Sequence, residues 1–269
     1  MPELPEVETV TNSIKKHLIG KKFTSLVVNW KKTLHNFTPL DFSSKIKNLK
    51  IKNIYRRGKF IVIDLDKVIL AVHLRMTGKL YVMPEIDPNQ KHISAYLSFS
   101  DKYLLFEDSR KFGRFYLYKS IDSLDDRLGI EPFSKEFDQK WLVSKLKSKS
   151  RQMKQLLLDQ SFVVGLGNIY TDEALYLSKI HPLSKSDEVS ISKIKKLHSS
   201  IIKVLKESIK EGGTTIRDYT YDYSYVGNYA LKLNVYGKQD TMCPKCKTLI
   251  IKIKVAQRGT HICPKCQRL

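Results

Sequence analysis

All four cysteines of this chain stand in two Cys-Pro-Lys-Cys clusters, Cys243/Cys246 and Cys263/Cys266, with sixteen residues between Cys246 and Cys263. That spacing suits a four-thiolate zinc site: each Cys-x-x-Cys knuckle aims two sulfurs at one ion, and a hairpin brings the knuckles together. The alternation of Ile251, Ile253 and Val255 with Lys252 and Lys254 reads as a two-stranded ribbon between them. Two disulfides are the alternative, and the absence of a signal-peptide pattern at the start weighs against it. Four protein ligands leave no open position for water, so such a zinc is structural and any chemistry lies elsewhere. A second candidate is the amino end. Removal of Met1 would expose the secondary amine of Pro2, close to the carboxylates of Glu3, Glu6 and Glu8. An N-terminal amine titrates at about pH 7.7 to 8.0, so a neutral fraction is available to attack a carbonyl carbon. The resulting iminium cannot shed its charge by losing a proton from nitrogen and therefore serves as an electron sink. Glu3 is placed to move protons. Most Met-Pro starts do no chemistry, so this amine needs support from the rest of the chain.

Net charge and context narrow the partner. The 269 residues carry a formal charge of +21 and are 42% hydrophobic, enough for two ordinary domains with real cores. The excess of cations points to a polyanion, although a lysine-rich proteome would raise the count without one. The lysines around the cysteine ribbon, Lys245, Lys247, Lys252, Lys254 and Lys265, make nucleic acid the leading partner. No apolar run is long enough to span a bilayer, and a reducing cytoplasm is the expected location.

Three regions must position these groups. Pro5 in a first turn, Glu6 and Glu8 near a positive helix end, and Val7, Val10, Ile14 and Leu18 on one face predict an N-terminal helix closed by Gly20. From Phe23 to about Tyr118 the pattern is strand-like, with β-rich runs at 60–65, 68–74, 96–99, 103–106 and 115–118, indicating an antiparallel sandwich or barrel. The segment 125–137 reads as a linker. Beyond it the period turns helical, with short segments near Trp141 and from Met153 to Leu158. A glycine-bearing loop follows, then a long amphipathic helix from about Ser190 to Gly212. The expected domains are 1–130, helix plus β-sandwich; 131–225, helical; and 235–269, zinc hairpin. The fold class is α+β multidomain.

Six motifs, in order, then converge. MPELPEVET, RRGK at Arg56 to Lys59, HLRMTGKL at His73 to Leu80, DSRKFGR at Asp108 to Arg114, VVGLGNIYTDEAL at Val163 to Leu175 and QRGTHICPKCQ at Gln257 to Gln267 together resemble bacterial formamidopyrimidine-DNA glycosylases over the whole chain. The resemblance implies a monomeric repair enzyme with a helix-two-turn-helix element and one structural Zn²⁺. It would excise oxidised purines such as 8-oxoguanine and formamidopyrimidines from double-stranded DNA, then cut the abasic strand by β,δ-elimination, with DNA in a cleft between the two halves. It assigns Pro2 as Schiff-base nucleophile, Glu3 as acid/base, Lys59 as proton donor in β-elimination and Arg258 as a phosphate-binding residue of δ-elimination. Met76, Arg110 and Phe112 would fill the gap left by an everted nucleotide. Asn168 would cap a phosphate-accepting helix start, and His92, Lys149 and Lys154 would be further DNA contacts.

Some positions depart from that pattern. Thr77 stands where relatives often have Ser or Glu, Gln155 replaces a common proline, and the segment before the ribbon is unusually rich in tyrosine, Tyr219 to Tyr229. These leave lesion preference open. Two rivals remain: an endonuclease VIII-like enzyme for oxidised pyrimidines, and a non-catalytic zinc-ribbon protein that binds damaged DNA. The latter has no use for Pro2, Glu3 and Lys59 together.

Overall fold

The computed structural model describes residues 1–87, 89–214 and 227–269. The chain forms two compact units, one made of residues 1–126 with 211–228 and the other of 127–210 with 229–269. The expected division was into three consecutive segments. The difference has a physical origin. The hairpin packs onto a helix of the second unit, whereas Thr214 is captured by the buried carboxylate of Glu6 in the first, through its backbone N–H (2.8 Å) and its hydroxyl (3.0 Å). Most of the tyrosine-rich segment lies outside the described residues.

The first unit begins with helix α1 (Leu4–Leu18). Its start is fixed by Pro5 and by a capping box in which Glu6 reaches back to the Glu3 N–H (2.8 Å); Lys15, Lys16 and His17 offset the negative end. Strand β1 (Ser25–Val28) and the short helix α2 (Pro39–Lys45), capped by Thr38, come next. There follow β2 (Asn53–Arg57), β3 (Phe60–Asp64), β4 (Ile69–His73), β5 (Lys79–Met83), β6 (Ile93–Phe99), β7 (Lys102–Glu107) and β8 (Arg114–Tyr118). Two four-stranded antiparallel sheets result, β1-β6-β7-β5 and β2-β3-β4-β8. One apolar cluster joins them: Val10, Ile14 and Leu18 of α1 meet Leu70 and Val72 of one sheet and Leu97, Leu104 and Phe106 of the other. This is the expected sandwich, with α1 packed on β2, β3 and β5. The β-rich runs of the sequence fall on β3, β4, β6, β7 and β8. Strands β1, β2 and β5 carry weaker alternation and become legible only through their pairing.

Helix α3 (Asp122–Asp125) ends the first unit. The second contains α4 (Gln139–Lys147), α5 (Met153–Leu158), α6 (Asn168–Ser178), α7 (Ile191–Lys210) and the hairpin β9 (Ile251–Val255) with β10 (Arg258–Ile262). Helix α7 is the long amphipathic helix expected, burying Ile194, Leu197, Ile201, Val204 and Leu205. Helix α6 is different, being buried on nearly every side, Asp172 and Glu173 included. It packs against α5, α7 and β10. Among the described residues no helix is long and apolar enough to cross a membrane.

Candidate active site and zinc hairpin

In the first unit the candidate groups stand at the start of α1 and on loops of the sandwich. Pro2 is buried and Glu3 is 2% exposed at the start of α1. Lys59, 5% exposed, occupies the two-residue loop between β2 and β3. Its neighbour Gly58 has φ +58°, the conformation a tight hairpin asks of glycine. Arg56 braces this loop. Its Nε donates to Glu8 of α1 (2.8 Å) and its Nη1 to the Gly58 carbonyl (3.1 Å), so the lysine-bearing tip is tied to α1, which begins directly after Pro2 and Glu3.

Opposite Phe60 on β4 lies His73, a residue not singled out from the sequence. Burial, with the Arg75 and Lys59 cations nearby, pushes its imidazole down to about 3. The ring is therefore neutral at physiological pH. Its Nδ1 accepts the Arg75 N–H (3.0 Å), which leaves the proton on Nε2. Its position inside the HLRMTGKL motif was the available signal.

Met76 and Phe112 are 40% and 46% exposed, unusual for large apolar side chains and consistent with a contact surface. Both sit on loops fastened by one buried carboxylate. Asp108 accepts the Thr77 hydroxyl from one loop, and the backbone N–H groups of Arg110 (3.2 Å) and Gly113 (2.7 Å) from its own. Thr77, a departure from the expected pattern, thus supplies the link. Gly113 is obligatory, since a Cβ there would stand 2.2 Å from the Phe106 ring. The exposed Arg110 guanidinium lies 5.0 Å from the Phe112 ring centroid. Met1, Arg75, Met76, Phe112, Arg114 and Tyr116 line one groove, which brings the amino end together with Met76 and Phe112. His92 is exposed beside it, in a left-handed conformation (φ +70°), its carbonyl bonded to the Asp108 N–H (2.9 Å).

In the second unit the four cysteine sulfurs lie within 4.8 Å of one another. A tetrahedral zinc with Zn–S bonds of about 2.3 Å sets its sulfurs about 3.8 Å apart, so the donor set fits. The free thiols divide. Hydrogen bonds from Thr248 pull Cys246 down to about 6, whereas burial and the neighbouring sulfurs push Cys266 up to about 12. Zinc resolves this competition by replacing the shared protons. Tyr176 of α6 places its hydroxyl 3.2 Å from Cys243 Sγ, and Gln267 holds the second knuckle by accepting the Cys263 N–H (3.0 Å) and donating to the Ile180 carbonyl (3.0 Å). One structural zinc, held by Cys243, Cys246, Cys263 and Cys266, is the cofactor of this chain.

Arg258 begins β10, exposed, directly after the turn Ala256–Gln257. Asn168 was expected to cap α6. In the structure Gly167 is the N-cap and Asn168 is the first helical residue, its carboxamide donating to the Gly259 carbonyl (2.9 Å). Lys149 is exposed after α4. Lys154 is not on the surface. Its side chain is 0% exposed and its Nζ lies 2.6 Å from Asp172 Oδ1, a burial that requires an internal counter-charge and further hydrogen-bond acceptors. Glu173, also missed, accepts the backbone N–H groups of Asn234, Val235 (2.8 Å) and Tyr236 (2.9 Å), anchoring the segment that leads into the zinc hairpin. Adjacent carboxylates in an otherwise apolar helix were the overlooked signal.

Comparison with known proteins agrees with this layout. Three family models match: the formamidopyrimidine-DNA glycosylase N-terminal domain over residues 1–115, its H2TH domain over 128–220, and a zinc finger found in FPG and IleRS over 243–269. The chain is 41% identical to the formamidopyrimidine-DNA glycosylase of Bacillus licheniformis, covering 100% of both, and 40% identical to that of Bacillus subtilis, covering 99% of both. It superposes with a TM-score of 0.93 and 38% identity, over 100% of both chains, on a Lactococcus lactis FPG mutant bound to DNA containing Fapy-dG. An L. lactis complex with abasic-site DNA gives 0.92, also at 38% identity, over 99% of this chain and 100% of that one. With full-length identity at this level and every domain matched in order, the chain belongs to the bacterial formamidopyrimidine-DNA glycosylase family, DNA-repair glycosylases for oxidised purines.

Proposed function

We propose that this protein, working as a monomer on double-stranded DNA in the bacterial cytoplasm, excises 8-oxoguanine and formamidopyrimidine residues and then cleaves the abasic strand by β,δ-elimination. The observation that carries the reading is the single groove shared by Met1, Met76 and Phe112. It lets one surface both fill the helix and present the amino end to the sugar of an everted nucleotide. The relatives bound to Fapy-dG and abasic-site DNA, and a related MutM bound to DNA containing carbocyclic 8-oxo-G, support the substrate class.

The chemistry begins when Met1 is removed. While Met1 is attached, the Pro2 nitrogen is an amide whose lone pair is delocalised into the carbonyl. The free amine attacks C1′, the N-glycosidic bond breaks and the base leaves with a proton. Glu3, beside the nucleophile, protonates the ring oxygen as the sugar opens to an iminium. Loss of a C2′ proton then expels the 3′-phosphate, with Lys59 as the proton-carrying group, and a second elimination expels the 5′-phosphate. The neutral His73 offers its Nε2–H to a phosphate without adding charge. Phe112, Met76 and Arg110 occupy the vacated stack, Arg110 bonding to the orphaned base. His92, Lys149, Asn168 and Arg258 take phosphates, Asn168 with backbone amides at its helix start.

Processed protein incubated with lesion DNA and borohydride should yield an adduct mapping to the N-terminal peptide. Retention of Met1 should abolish it. An adduct on Lys59 in processed protein would reassign the nucleophile and overturn this mechanism.

A further inference from the structure

The two-residue hairpin turn directly before Arg258 is strained. Ala256 and Gln257 both have positive φ, 48° and 60°, a left-handed conformation that costs a residue with a Cβ about 1–2 kcal/mol. Where the turn stands relative to α6 must therefore be decided by contacts outside the hairpin. Those contacts are polar and buried. The Lys154 ammonium has three N–H donors and three acceptors around it: Asp172 Oδ1 of α6 (2.6 Å), Thr260 Oγ1 (2.8 Å) and the Gly259 carbonyl (3.4 Å) of β10. The other oxygen of Asp172 accepts the His261 N–H (2.9 Å). The Gly259 carbonyl also receives Asn168 Nδ2 (2.9 Å). Residues 259–261 are thus gripped at consecutive positions by α5 and α6, immediately after Arg258.

We propose that Lys154 is a positioning residue: its buried ion pair with Asp172 sets the Gly259–His261 backbone at a fixed height on α6, so that Arg258 and the α6 N-terminus present one phosphate clamp. A buried pair of this kind contributes little net stability, because desolvating two charges offsets their attraction, and an apolar pair of equal volume would hold the hairpin on α6 as well. What it adds is direction. Three acceptors at defined angles admit one register of hairpin on helix, whereas apolar packing tolerates sliding. The reading replaces direct DNA contact by Lys154, whose ammonium is spent on internal acceptors. It rests on the assignment of Arg258 to a phosphate made above.

A double-mutant cycle separates positioning from general support. Affinity for a duplex bearing a tetrahydrofuran abasic analogue is measured against KCl concentration for wild type, Lys154→Met, Arg258→Ala and the double variant, with zinc content and thermal unfolding recorded for each. Loss of one phosphate contact lowers the slope of log K against log salt by about 0.9 and weakens binding by about tenfold. Lys154→Met should reproduce both effects of Arg258→Ala while keeping one zinc per chain, and should add less than about twofold once Arg258 is gone. Multiplicative losses, or a slope unchanged by Lys154→Met, overturn the inference. If Arg258→Ala itself changes neither affinity nor slope, the phosphate assignment falls first and the inference with it. Lys154→Met/Asp172→Asn, which removes both charges at nearly constant volume, is run in parallel and must show the same pattern, so that misfolding of the single variant leaves the proposal open to refutation.

Discussion

Two hairpins with two-residue turns each present a cation assigned to the reaction, one in its turn and one directly after it, and the turns are held in opposite ways. The loop bearing Lys59 is locally determined: Gly58 supplies the left-handed residue at no steric cost, and Arg56, three residues from the lysine it serves, ties the tip to α1. The loop preceding Arg258 has alanine and glutamine in left-handed conformations and depends on zinc, Lys154, Asp172 and Asn168. A proton-transfer group needs one precise position, which short-range geometry can specify. A phosphate clamp assembled from separate elements needs a shared frame, and here a metal and a buried ion pair provide it.

The sharpest way to break this contrast is to remove the zinc. Cys246→Ser, or chelation, should melt the hairpin, because structural zinc in small motifs supplies about 10–16 kcal/mol of apparent binding free energy. Affinity for the abasic-analogue duplex should fall more than about a hundredfold, while far-UV dichroism shows the sandwich retained; full binding by the metal-free protein would refute the dependence. The counterpart in the first unit is Arg56→Ala. With its side chain 7% exposed and the Glu8 partner partly solvated, its loss should cost about 2–3 kcal/mol of stability and slow strand cleavage at a preformed abasic site about tenfold. Zinc content should not change, and single-turnover kinetics with urea unfolding would check both halves.

Acid should weaken the first unit through His73. The His73 pKa is lowered from 6.5 to about 3 in the folded chain, so between these values the unfolded chain binds more protons. Its stabilising contribution is complete above pH 6.5 and falls with acidification by up to about 1.4 kcal/mol per pH unit. Unfolding free energies measured from pH 7 to 4.5 should show this slope, and His73→Gln should flatten it. The smallest effect is expected at the strained turn. Ala256→Asn with Gln257→Gly installs the residues a left-handed two-residue turn favours and should stabilise the hairpin by about 1 kcal/mol, read as slower zinc release to a chelator. Unchanged release would mean that zinc and the Lys154 network already absorb the strain.

The cysteine spacing, the apolar faces of α1 and α7, the five strongest strands and the loop motifs around Lys59, Phe112 and Arg258 are written locally, as periodicities and turn residues a few positions apart. Those features determined the fold class and the candidate amine from the chain alone. The sequence could not say that Asn168 sits inside its helix rather than capping it, that Thr214 joins the first unit by bonding to Glu6, that His73 is buried neutral beside Lys59, or that Lys154 faces Asp172 rather than solvent. Most depend on a partner far along the chain; Lys154 and Thr260 are 106 residues apart and Glu6 and Thr214 are 208. A lysine in a basic chain reads as a surface charge, because periodicity records which face is apolar and carries no record of which counter-charge the fold will bring to it. Burial, and with it the choice between touching DNA and positioning the residue that does, is decided only when α5, α6 and the zinc hairpin close on one another.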